Sequence, residues 1–163
     1  MITWIASYPK SGNTWMKLFL KSYFNSPNSD FSINPKPDDN LQIETFPVAK
    51  KFKDLNINYK NFAEIARNWI SMQSLINLNN KSNYLKTHNA MCSINGYQFT
   101  NNENTIGAIY IVRDPRDIAI SYSKFLGKDI DETIEYILSD NCFEQDLFEN
   151  ELYKKSIMGS WAY

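Results

Sequence analysis

Ile2-Thr3-Trp4-Ile5-Ala6-Ser7-Tyr8-Pro9-Lys10-Ser11-Gly12-Asn13-Thr14-Trp15 opens the chain with two periodicities joined by a turn. Ile2 to Ser7 is a short apolar run closed by Tyr8-Pro9, which is the length and punctuation of a buried strand. Pro9 to Asn13 is turn-rich. From Thr14 the spacing changes: Trp15, Leu18, Phe19 and Ser22 fall at i, i+3, i+4 and i+7, with Lys17 and Lys21 on another face. That pattern predicts an amphipathic helix to about Phe24. The chain therefore begins strand, loop, helix.

The same alternation recurs downstream. Asn25 to Asp39 is polar and proline-spotted and reads as a loop, and the signal between Leu41 and Asn61 is weak. Asn61 is a good N-cap with Glu64 three residues on. Phe62, Ile65, Ala66, Trp69, Met72, Gln73 and Ile76 then predict one helix to about Leu78. Tyr84 to Thr87 is a short strand. Thr105 to Arg113 holds the most strand-like run, Ile106-Gly107-Ala108-Ile109-Tyr110-Ile111-Val112, as expected for a parallel strand buried on both faces. Asp114 and Pro115 supply an N-cap and a first-turn proline. Ile118, Ala119, Ser121, Tyr122 and Phe125 continue as a helix, and a second helix runs from Asp131 to Leu138. The tail, Glu144 to Tyr163, reads as weakly patterned helix. Strands alternating with helices imply an α/β fold, a parallel sheet flanked by helices.

Composition excludes several classes. The 163 residues include 17 basic and 18 acidic side chains, a net charge of −1, so there is no basic excess for coating nucleic acid. Apolar residues at 43% exclude a wholly disordered chain. The 20 asparagines load the loops with turn formers. No apolar run approaches the roughly 18 residues of a membrane span, and the N-terminus has no basic n-region. Cys92 and Cys142 make no disulfide framework. A cytoplasmic protein with no membrane partner is expected.

In open parallel sheets ligands bind at the carboxyl ends of the strands. The loops after the three best strands are Tyr8–Asn13, Thr87–Ala90 and Arg113–Pro115, and all three are expected to face one crevice. In the first, amides at a helix start, the flexible Gly12, the cation of Lys10 and the hydroxyls of Ser11 and Thr14 form a phosphate-binding set. The pattern is not a Walker motif, because Lys10 precedes Gly12 and no first glycine is present. In the second, the only histidine, His88, follows Lys86, and imidazole is the group suited to take a proton at neutral pH. In the third, Arg113 is placed for a bidentate phosphate contact, with Ser121 two helical turns on. Arg116 and Asp117 read as a surface pair at the helix start.

Tyr8 to Trp15 resembles the 5′-phosphosulfate loop of the sulfotransferases, whose form is close to Tyr-Pro-Lys-Ser-Gly-Thr-Thr-Trp. Asn13 stands where the family has Thr. It keeps a short polar side chain and the same backbone N–H, so no loss is expected. Lys86-Thr87-His88 resembles the segment holding the family's base. Arg113 with Ser121 resembles its 3′-phosphate clamp. The resemblance implies a P-loop-NTPase-like sulfotransferase fold over residues 1–163 and a donor, 3′-phosphoadenosine 5′-phosphosulfate (PAPS), with 3′-phosphoadenosine 5′-phosphate as product. It implies binding by Lys10, Ser11, Gly12, Asn13, Thr14, Trp15, Arg113 and Ser121, with Trp15 on the adenine. It makes His88 the base, Lys86 the group that neutralises the transferring sulfuryl, and Lys10 the group that, with the Ser11–Thr14 amides, holds the 5′-phosphate and the leaving oxygen.

No metal is expected, since lysines supply the charge. The expected partner is a small-molecule alcohol, phenol or amine, and a homodimer is the oligomer to test for. Pro27 to Asn83 matches least and is assigned to acceptor binding. Gly159-Ser160-Trp161 resembles the family's next helix. With no counterpart of the family's Arg-Lys-Gly segment, the chain reads as an N-terminal part ending inside that helix. The competing readings are a small-molecule or nucleotide kinase with a degenerate P-loop, and a non-catalytic nucleotide-binding protein of the same fold.

Overall fold

The computed structural model describes residues 1–25 and 43–162, so most of the loop expected at 25–39 lies outside the described residues. The order is β1 (Ile2–Ser7), α1 (Asn13–Asn25), β2 (Ile43–Thr45), α2 (Ala49–Asp54), α3 (Phe62–Arg67), α4 (Trp69–Asn77), β3 (Asn83–Thr87), β4 (Ser93–Ile94), β5 (Tyr97–Gln98), β6 (Thr105–Ile111), α5 (Pro115–Leu126), α6 (Ile130–Leu138), β7 (Phe143–Phe148) and β8 (Glu151–Ile157). The central sheet is parallel, in the order β2-β3-β1-β6. Residues of β1 pair with both neighbours: Trp4 lies opposite Leu85 and Ala108, and Ala6 opposite Thr87 and Tyr110. The carboxyl ends of β3, β1 and β6 are therefore adjacent, and the loops that follow them emerge side by side.

Burial fixes this register. Trp4 and Leu85 face a core with Phe46, Phe52, Ile65, Trp69, Met72 and Phe99, contributed by the segments around α2–α4 and by the β4–β5 hairpin. Trp4 and Phe99 stack tilted at 5.1 Å, and Trp69 meets Phe99 edge-on at 5.3 Å. A second core joins Tyr8 to Ile118, Ala119 and Tyr122 of α5, Ile137 of α6, Cys142 and Met158. Helix α5 starts as expected: the Asp114 carboxylate accepts from the Arg116 amide at 2.9 Å, with Pro115 in the first turn. Both cysteines are free.

Four expectations are corrected. The helix predicted from Asn61 to Leu78 is two helices, α3 and α4. At the break the Asn68 side chain donates to the Glu64 carbonyl at 2.9 Å, offering the backbone a competing partner. The tail is not helical from Glu144: β7 and β8 form an antiparallel hairpin. Its two turn residues, Glu149 and Asn150, both adopt left-handed φ (54° and 63°), the geometry that closes a two-residue hairpin. Residues 159–162 are likewise loop and turn rather than helix, with the Trp161 amide donating to the Ile137 carbonyl at 2.8 Å. Finally, β6 is not buried on both faces. Ile106 and Tyr110, on the same sheet face as Trp4 and Leu85, are 65% and 68% exposed among the described residues.

Candidate functional site

The three loops meet in one cavity of about 610 Å³. Lys10, Gly12, Asn13, Thr14 and Trp15 come from the first loop and the start of α1, Lys86 and His88 from β3 and its exit, and Arg113 and Ser121 from the third loop and α5. Of the residues expected at the site only Ser11 does not line it. Ser11 is buried, and its Oγ has no protein partner. Trp15, which by periodicity alone would be a core residue, is 66% exposed on the cavity wall and stacks on Phe19 at 5.7 Å.

Backbone geometry shapes the first loop. Lys10 and Gly12 take positive φ, 65° and 110°. At Gly12 a side chain would be strained whatever the space around it. The turn delivers the chain into α1, whose first bond runs from the Met16 amide to the Gly12 carbonyl at 3.0 Å. The amides that open the helix have no intrahelical acceptor, so they are available to an anion at the positive end of the dipole.

Asn13 does more than supply an amide. Its buried side chain donates to the Ile5 carbonyl at 2.9 Å and to the Thr87 carbonyl at 3.3 Å, tying the loop to β1 and β3. Arg113 ties the third loop to the first, because its Nη1 donates to the Lys10 carbonyl at 3.0 Å. Asp117 lies 3.6 Å from Arg113 Nε and so steadies the guanidinium, a contact the surface-pair reading missed. Arg116 is a surface residue as expected, but its partner is Asp114, which is held down at about 2 by that contact.

His88 directly follows β3. Its Nδ1 lies 2.6 Å from the Ser7 carbonyl. A carbonyl only accepts, so Nδ1 carries the hydrogen and Nε2 keeps its lone pair. Burial pushes the imidazole below its ordinary value, and the cations of Lys86 and Lys155 push the same way, while the Glu144 charge and the Ser7 carbonyl oppose them. Burial also lowers the Lys86 ammonium, opposed by the Glu144 charge and helped by Lys155, Lys17 and Lys10. The ring is thus a neutral base at neutral pH, beside a group of lysines that favours an anionic ligand. Lys10 Nζ rests 4.5 Å over the Phe125 ring.

The hairpin adds a wall the sequence did not reveal: Phe143, Glu144, Gln145 and Asp146 line the same cavity. Behind them the buried Lys155 lies 3.2 Å from Asp146 and 3.7 Å from Glu144. Tyr122 and Tyr136 close the cavity from α5 and α6. Burial raises both phenols, Tyr136 to about 12, so both are protonated donors. His88 also borders a second cavity of about 520 Å³, walled by apolar residues that include Trp4, Tyr8, Tyr110, Met158 and Trp161. Among the described residues no group of three or more His, Cys, Asp or Glu side chains is placed to hold a metal ion. No helix among them is long and apolar enough to cross a membrane.

A parallel sheet whose first strand feeds a phosphate-type loop, with a lysine, a histidine and an arginine at the adjoining strand ends, defines an α/β group-transfer protein. The family model for the sulfotransferase domain matches residues 2–163, and the chain belongs to that family. Membership implies sulfuryl transfer in general, to a small-molecule acceptor. No curated protein matches the sequence.

Proposed function

We propose that the protein transfers the sulfuryl group of PAPS to a hydroxyl or amine of a small molecule by in-line displacement, with His88 as base. The observation that carries this reading is the convergence of Lys10, Lys86, His88, Arg113 and Ser121, from three adjacent strand ends, on one cavity. The donor set suits such a nucleotide. The helix-start amides and Lys10 offer a cradle for the 5′-phosphate, and the guanidinium of Arg113 offers a fork for the 3′-phosphate. Trp15 presents an exposed ring on which an adenine can stack.

In this mechanism the residues act as follows. Arg113 and Ser121 fix one end of the donor, and Trp15 its base. Lys86 and Lys10 face the sulfuryl oxygens and the bridging oxygen and offset the negative charge that grows there. A lone pair of the acceptor oxygen or nitrogen forms the new bond to sulfur while His88 Nε2 takes the proton, the electron pair of the O–H or N–H bond remaining on the acceptor atom. The bond from sulfur to the bridging oxygen breaks, and its electron pair stays on the 5′-phosphate, which Lys10 stabilises. The Ser7 carbonyl keeps Nδ1 protonated throughout, so Nε2 is always the accepting atom. The logic parallels phosphoryl transfer, in which positioning and charge neutralisation supply most of the rate. The lysines provide the positive charge, so the reading calls for no metal.

Calorimetric titration separates this reading from a kinase. The protein is expected to bind 3′-phosphoadenosine 5′-phosphate at least tenfold more tightly than ATP, without Mg²⁺. Preferential, Mg²⁺-dependent binding of ATP overturns the proposal.

A further inference from the structure

We propose that Glu144 is a positioning residue for His88: the β7–β8 hairpin brings its carboxylate to the cavity wall as the counter-charge for the imidazolium formed when His88 takes a proton. This rests on the reading of His88 as the base.

The argument begins with how the hairpin is anchored. The Ile157 amide donates to the Asn89 side chain at 3.1 Å, and the Ala90 amide donates to the Ile157 carbonyl at 2.7 Å. The hairpin is therefore clamped to the loop that carries His88, one and two residues beyond the ring. Across the hairpin Phe143 pairs with Ile157 and Glu144 with Ser156, so the clamp sets the position of Glu144 directly. Glu144 and His88 line the same cavity.

The charges then leave Glu144 something to do. Lys155 is a single cation shared between two carboxylates and lies nearer Asp146 than Glu144. The trio by itself carries one excess negative charge, which acts on the Lys86 ammonium as well as on the His88 ring. Glu144 Oε2 is buried and has no hydrogen-bond partner, a costly state for a carboxylate oxygen unless a positive charge is close by. Most other charged groups around His88 are cationic: Lys86 from β3 and Lys155 from β8, with Lys10 and Arg113 on the same cavity. Asp146 is the other acid there, and the phenols of Tyr122 and Tyr136 are neutral. Without Glu144, a proton arriving at Nε2 would meet mainly positive neighbours. The electrostatic balance at His88 agrees, Glu144 being the largest opposition to burial.

His88 is the only histidine, so its ring signals can be followed by NMR without assignment. In Glu144→Gln the midpoint of the His88 titration is expected to fall by about half a unit to one unit, a roughly three- to tenfold loss of proton affinity. Glu144→Asp retains most of the wild-type midpoint. If Glu144→Gln does not fold, Glu144→Ala, read at the same ring signals, decides the matter. An unchanged midpoint in folded Glu144→Gln or Glu144→Ala overturns the proposal. In turnover, Glu144→Gln lowers kcat with the nucleotide KM unchanged. A shifted midpoint in a protein that transfers nothing from PAPS refutes the sulfotransfer reading and leaves the Glu144–His88 pairing standing. Transfer with an unshifted midpoint does the reverse.

Discussion

His88 Nδ1 and the Ser7 carbonyl oxygen lie 2.6 Å apart, so the end of β1 holds the ring that follows β3. Ser7 Oγ, 3.3 Å from the same nitrogen, adds a second contact. The ring is thereby fixed by two adjacent parallel strands, and its free nitrogen is defined by backbone chemistry.

That burial has a consequence for stability. The folded-state value of His88 lies below the unfolded value of about 6.5. Between the two values the unfolded chain binds more protons, so stability falls as pH drops from neutral through about 6.5 and levels off below the folded value. His88→Gln is expected to flatten this part of the stability–pH curve, as measured by urea unfolding at a series of pH values. An unaltered slope would show that the ring is not buried as a neutral base.

Arg113 has two tasks, holding the Lys10 carbonyl and, in the proposed function, the 3′-phosphate. Arg113→Ala should weaken 3′-phosphoadenosine 5′-phosphate by roughly 10- to 100-fold, the scale of a charged hydrogen-bond pair. Adenosine 5′-monophosphate should lose only a few-fold, from loosening of the first loop. Equal losses in calorimetric titrations of the two would reject the clamp.

Asn13 joins the loop to β1 and β3 through a buried side chain. Asn13→Ala leaves the Ile5 and Thr87 carbonyls without that donor and should cost about 1–3 kcal/mol in chemical denaturation. Because Thr87 precedes His88, the same variant should also broaden the His88 ring signals.

Trp69 is fully buried between Phe62 and Phe99. Trp69→Ala should cost about 3–5 kcal/mol, read as a lower urea midpoint, because α4 would face a large cavity. A loss below about 1 kcal/mol would mean the packing of α4 on the sheet is not as described.

Much of this arrangement is legible in the sequence because local signals and tertiary demands agree. The apolar run at Ile2–Ser7 is a strand, Asp114-Pro115 does start a helix, and the strand-end loops meet where a parallel sheet puts them. The hairpin is illegible for a physical reason. Of its most buried positions on β8, Tyr153, Lys155 and Ser156, none is aliphatic, so no apolar alternation marks the strand. Lys155 is tolerated there only because Asp146 and Glu144 meet it, a pairing that depends on the fold. Elements as short as β2 and α2 complete no recognisable period. The Asn13 side-chain bonds were hidden because a polar residue in a turn reads first as turn chemistry.

Incubation of the protein with radiolabelled PAPS and a panel of small alcohols, phenols and amines tests the central claim most directly. The account predicts label on at least one acceptor with the wild-type protein. His88→Ala should show no transfer while binding 3′-phosphoadenosine 5′-phosphate within a few-fold of wild type. Transfer by His88→Ala at the wild-type rate, or no label on any acceptor with folded, nucleotide-binding wild-type protein, would contradict it.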